Sequence, residues 1–176
     1  MKLHKGLSFY KRDSYLREQQ RETQFAPRIS CKGPHIRGPE DLCRIVYSPE
    51  DVKPDNSFRP EAISCQDLMQ RGFSIQRVSY TTRAKIDALI HNYTSRKPGR
   101  AAEYLLLFKA ETVRKIIDQE GHQAFIIVDS AKKSDDEGHA LIYCADRLPK
   151  SKVKELRYML AEKISNAASI EAVFPA

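Results

Sequence analysis

Long apolar runs are missing from this chain of 176 residues. None approaches the roughly 20 residues that a membrane-crossing helix needs. The first 25 residues are charged throughout and hold no apolar stretch of an export signal. A soluble, cytoplasmic protein with no membrane partner is therefore expected. Closely paired cysteines are missing as well. Cys31, Cys43, Cys65 and Cys144 stand 12, 22 and 79 positions apart, so no C-x-x-C pair offers itself to zinc or redox chemistry. Four buried thiols in a reducing compartment are the expectation. No Walker, G-x-G-x-x-G, H-E-x-x-H or G-x-S-x-G motif occurs, which disfavours the enzyme classes that carry them. The acidic run Asp135-Asp136-Glu137 lacks the glycine spacing and terminal glutamate of a calcium loop. Neither a cofactor nor a metal is expected, and an enzyme is the less favoured class.

What is present is globular in kind. Hydrophobic residues make up 41% and charged residues 30%, a balance that supports a core and argues against a disordered chain. The last part of the chain alternates in period. An apolar run at Tyr104 to Phe108 precedes a helical pattern at Glu111 to Glu120, and two apolar runs follow at Ala124 to Val128 and His139 to Cys144. A second helical pattern covers Lys150 to Ser165, with Val153, Leu156, Leu160 and Ile164 on one face, and Ile170 to Phe174 closes the series as a strand. The order β-α-β-β-α-β is that of a split, ferredoxin-like unit. The expected fold class is α+β: a basic arm over 1–38, a strand, loop and helix region over 39–100 packed on the rest, and a ferredoxin-like unit over 101–176.

Within 1–38, Ser14 to Thr23 reads as a short helix with a thin apolar face, and the glycines and prolines of Lys32 to Pro39 mark a boundary. Leu42 to Tyr47 has strand composition. Ser64 is a candidate cap for a helical turn reaching Met69. Phe73, Ile75, Val78 and Tyr80 read as a strand, with a bulge to absorb the slip between Ile75 and Val78. Thr81 or Thr82 caps a helix whose Ile86, Leu89, Ile90 and Tyr93 share a face, and Pro98-Gly99 ends it.

Charge is unevenly spread. Residues 1–30 carry +4 and residues 71–100 carry +6, whereas 101–148 carry −3. A cationic face suited to phosphates or to an acidic partner follows, with a merely solvated basic face as the plain alternative. Arg71, Ser74, Arg77 and Ser79 form one candidate cluster, in which guanidinium forks and hydroxyls on a strand would hold a phosphate. The plain alternative pairs these arginines with carboxylates of the acidic C-terminal part. Arg83, Lys85, Arg96, Lys97 and Arg100 are candidate contacts to a phosphate backbone, with Tyr10, Tyr15, Tyr80 and Tyr93 as candidate stacking surfaces for bases. His139 is the candidate acid or base, held by Asp129 across a hairpin, although no nucleophile is specified beside it.

The segments Leu42 to Tyr47, Arg71-Gly-Phe-Ser-Ile-Gln-Arg-Val-Ser79 and Gly138-His-Ala-Leu-Ile142 resemble short bacterial proteins of unassigned activity. The resemblance implies a setting beside mobile or defence-related genes and no catalytic assignment. The C-terminal half also resembles an RNA-recognition fold in element order, but His139 to Cys144 retains only Tyr143 of the aromatic-rich strand that family uses. The leading expectation is a non-catalytic accessory subunit, part of a hetero-complex, that engages nucleic acid or an acidic protein partner. The alternatives are an enzyme acting on a nucleotide or nucleic acid, with His139 as acid or base, and a protein–protein module such as a neutralising partner or scaffold.

Overall fold

The computed structural model describes residues 36–130, 136–146 and 148–175. The expected arm helix, Tyr10, Tyr15, Cys31 and Asp135, the first residue of the acidic run, lie outside them. Strands β1 (Asp41–Ser48), β2 (Phe73–Arg77), β3 (Ala101–Lys109), β4 (Phe125–Asp129), β5 (His139–Cys144) and β6 (Ala167–Ala168) form one sheet in the order β4-β5-β2-β1-β3-β6. Every neighbouring pair is antiparallel. Helices α1 (Arg83–Arg96), α2 (Ala110–Arg114), α3 (Lys150–Lys163) and α4 (Ile170–Val173) complete the α+β architecture. Among the described residues no helix is long and apolar enough to cross a membrane.

The strand composition of β1 has a direct cause. It is paired on both sides and covered on both faces, so Leu42 and Val46 enter one apolar cluster while Cys43, Ile45 and Tyr47 enter another. On the first face α3 lays Val153, Leu156 and Leu160 against Phe73, Ile75, Leu106, Phe125 and Ile142. On the second, α1 buries Ile86 completely and packs Leu89, Ile90 and Tyr93 over Ile45, Tyr47 and Leu105. Thr82 caps α1, its side chain accepting from the Lys85 amide at 3.3 Å. Thr82→Ala is expected to lower stability by about 1 kcal/mol, and an unchanged urea midpoint would deny the cap that role.

The ferredoxin-like expectation needs correction at the level of topology. A split βαβ arrangement would set β3 beside β5, yet β2 and β1 stand between them. The region expected to pack on a C-terminal unit instead supplies the two strands that hold that sheet together. Periodicity reports which face of a strand is buried but carries no record of its neighbours.

Three local expectations also change. The helix expected over Glu111 to Glu120 stops at Arg114, because the Asp118 carboxylate takes the amides of Glu120 and His122, each at 2.9 Å, and folds a tight loop instead. The last strand is Ala167–Ala168 on β3, and Ile170–Val173 is the helix α4, capped by Ser169 accepting from the Ala172 amide at 3.1 Å. The slip after Ile75 is a 3-10 turn at Val78–Tyr80 following β2 rather than a bulge within it. Ser64 does cap its helical turn, accepting from the Asp67 amide at 3.3 Å.

Candidate functional site

Helix α1 covers only part of the second face of the sheet. Its 3.6-residue period places Lys85, Leu89, Asn92 and Arg96 on one stripe, with about 16 Å of helix between the first and the last. Leu89 and Tyr93 form the wall of a groove of about 230 Å³, whose floor includes Ile45 of β1, Ser74 and Gln76 of β2 and His139 of β5. The floor is recessed because β1 and β2 pair only at Leu42 with Arg77 and Cys43 with Gln76. Beyond that point Arg44 spans the interval, donating from Nη1 to the Ser74 carbonyl at 3.0 Å and lying 4.9 Å over the Phe73 ring.

The cationic candidates divide by what neutralises them. Arg77 is fully buried: its Nε and Nη2 reach the two oxygens of Glu40 at 2.6 and 3.0 Å, its Nη1 reaches Asp129 at 3.1 Å, and its guanidinium lies 4.1 Å over the Tyr80 ring. A guanidinium so enclosed is closed to an external phosphate, so Arg77 is a structural ion pair. Arg71 pairs with Asp67 at 2.7 Å on an exposed turn, and Ser79 is exposed on the 3-10 turn; neither lines the groove. Arg83 turns to the opposite side of α1, toward Asp87 at 2.9 Å, Glu171 at 3.5 Å and the Phe174 carbonyl at 3.3 Å. Arg100 pairs with Glu50 and donates to the Tyr93 hydroxyl at 3.2 Å. Lys85 and Arg96 have no carboxylate partner among the described residues, whereas Lys97 acts on the nearby Asp51 carboxylate and lies 4.9 Å over the Tyr93 ring.

The expected stacking surfaces are taken up within the fold. Tyr93 stacks on Tyr47 with ring centres 4.0 Å apart, and the cations of Lys97 and Arg100 also lie over its ring. Tyr80 is covered by Arg77. Neither offers an open platform to a base.

At the floor of the groove, His139 Nδ1 meets the Ser130 hydroxyl, which also donates to the His139 carbonyl at 3.2 Å. Asp129, the carboxylate expected beside His139, reaches Arg77 Nη1 with its Oδ2 at 3.1 Å. Gln76 is oriented from both ends: its Nε2 donates to Asp136 at 3.0 Å, and its Oε1 accepts from Thr81 at 3.2 Å. Cys43 also borders the groove, but burial pushes its thiol up to about 12, so it stays protonated and non-nucleophilic at neutral pH. Burial likewise pushes the Tyr47 hydroxyl up to about 12. Arg44 and Gln76 are groove residues that sequence reasoning overlooked, as it did the buried Ser130 behind His139. Gln76 alone left a signal there, because it shares strand parity with Ser74.

Away from the groove, Asp118, Glu120 and His122 bring one possible metal-ligand atom each within 4.8 Å of one another. Asp118 is engaged by the loop amides, and Glu120 holds Lys152 at 2.6 Å. Those bonds account for the cluster as a folded loop. Comparison of the chain with family models, with curated proteins and with solved structures finds no match.

Proposed function

We propose that this protein is a non-catalytic accessory binding subunit that engages the phosphate backbone of a nucleic acid along the groove side of α1. The observation that carries the reading is the placement of Lys85 and Arg96, which have no carboxylate partner among the described residues, on one helical stripe with Lys97 beside them. Cations already paired inside a protein gain little from a phosphate, whereas solvated ones release condensed counterions from the polyanion when they approach it. Three such groups suffice for weak, salt-sensitive association, which suits a subunit acting within a larger complex. The inert Cys43 thiol and the covered aromatic rings favour backbone contact over chemistry or stacking on the surface.

The test is fluorescence anisotropy of a labelled oligonucleotide at increasing salt. With about three phosphates neutralised, the slope of log K against log salt is expected near roughly −2 for a single strand, so affinity falls about 20-fold between 50 and 200 mM. The triple variant Lys85→Ala, Arg96→Ala, Lys97→Ala is expected to lose about tenfold in affinity at low salt and to flatten that slope. Salt-insensitive binding, or none at low salt, overturns the reading. Displacement by polyglutamate at lower charge concentration than by oligonucleotide would transfer the site to an acidic protein partner.

A further inference from the structure

The groove beside the basic stripe is built unlike a surface that only tracks phosphates. Its wall is apolar at Leu89 and Tyr93, while its floor is polar at Ser74, Gln76 and His139. That combination suits a flat group with two hydrophobic faces and a hydrogen-bonding edge. The Ser74 hydroxyl has no hydrogen-bond partner among the described residues, and Gln76 is held in one orientation by Asp136 and Thr81. A fixed amide and a rotatable hydroxyl are means of reading a base edge.

Size and charge narrow the occupant. At about 230 Å³ the groove lies below the roughly 300 Å³ from which sites for drug-sized molecules begin. It therefore accepts one planar ring rather than an extended small molecule. Leu89 joins the wall of the groove to the stripe that carries Lys85 and Arg96, so a backbone held by those cations passes along the groove's mouth. A base stacked and paired inside a duplex cannot reach a recessed floor, whereas an unpaired base turns out of its strand at small cost.

We infer that the groove between α1 and strands β2 and β5 is a pocket for one unpaired base, and that the preferred ligand is single-stranded nucleic acid. This rests on the phosphate-binding reading above and goes further by naming the strand state and the element that reads it. Ser74 and Gln76 meet the base edge, and Leu89 meets one of its faces.

Labelled 12-nucleotide single strands of mixed sequence, as DNA and as RNA, and a duplex of the same length are titrated against the full chain at 50 mM salt. Single strands are expected to bind about tenfold more tightly than duplex. Two variants fill the groove from opposite sides, Ser74→Phe from the floor and Leu89→Trp from the wall, so the test survives the misfolding of either one. Each is expected to bring the ratio of single-strand to duplex affinity close to one, with the far-ultraviolet spectrum unchanged. Equal binding of single strand and duplex by the unaltered chain overturns the base pocket while the phosphate-binding reading stands. An undiminished ratio in a folded, groove-filled variant does the same. Absence of binding to both ligands overturns both readings.

Discussion

Replacing Arg77 by alanine is expected to remove about 3–5 kcal/mol of folding stability, because two carboxylates then lose the cation that neutralises them inside the protein. The side chain of Arg77 is fully buried, and those of Glu40 and Asp129 are only 11% and 12% exposed, so water cannot take its place. The guanidinium reaches both carboxylates at once, with its fork closed on Glu40 and its remaining arm on Asp129. Glu40 lies next to β1 and Asp129 ends β4, so the loss would loosen three segments far apart in sequence. A melting temperature lower by about 10 °C or more, followed by circular dichroism, is the expected reading for a chain of this size. Arg77→Lys keeps the charge but loses the fork, and is expected to fall between the two. Combining Arg77→Met with Glu40→Gln and Asp129→Asn removes the uncompensated charge and should recover part of the loss. A melting point within two or three degrees of the unaltered protein for Arg77→Ala would show that this network does not hold the sheet.

Gly72→Ala is expected to be strongly damaging although the residue has no side chain to lose. Gly72 sits just before β2 with φ at +87° and ψ at 136°, a sparsely populated region that costs an L-residue about 1–3 kcal/mol. An added Cβ would also stand 2.7 Å from the Leu141 Cβ and 2.8 Å from the Tyr143 ring. Neither neighbour has room to yield, since both are buried on β5, and the Tyr143 hydroxyl is tied to the Arg71 carbonyl at 3.0 Å. Strain and overpacking together should cost about 3 kcal/mol, read as a lowered urea midpoint with little change in slope. Gly99 has a similar φ of +85° but nothing within 4 Å of its added Cβ, so Gly99→Ala shows the cost of a positive φ free of crowding. Equal midpoints for the two variants would mean that crowding against β5 contributes nothing.

Much of the secondary structure was legible in the sequence because its causes are local. The apolar composition of Leu42 to Tyr47, the capping hydroxyl at Thr82 and the face of Ile86, Leu89, Ile90 and Tyr93 each act within a few residues. Topology was not legible, because the ladders joining β2 to β5 and β1 to β3 bring together residues about sixty positions apart. The same distance hid the fate of Arg77, whose carboxylate partners are 37 and 52 positions away. An arginine beside a strand reads alike whether it awaits a phosphate or closes on a buried acid, and only packing separates the two. Among the candidates, Ser74 and His139 reach the groove floor, and Lys85 and Arg96 lie on the stripe that shares its wall. That grouping needed both the direction of α1 and the parting of β1 from β2, neither of which a one-dimensional pattern records.

Because β1 and β2 are inserted between β3 and β5, neither side of a division at residue 100 closes a hydrophobic interior by itself. Residues 101–176 alone would leave β3 and β5 with bare hydrogen-bonding edges where their middle partners belong. The loop through Pro98 and Gly99 is exposed, so a protease could sever the peptide there while the two pieces remained laced together. Separating them would demand dismantling the sheet from its centre outward.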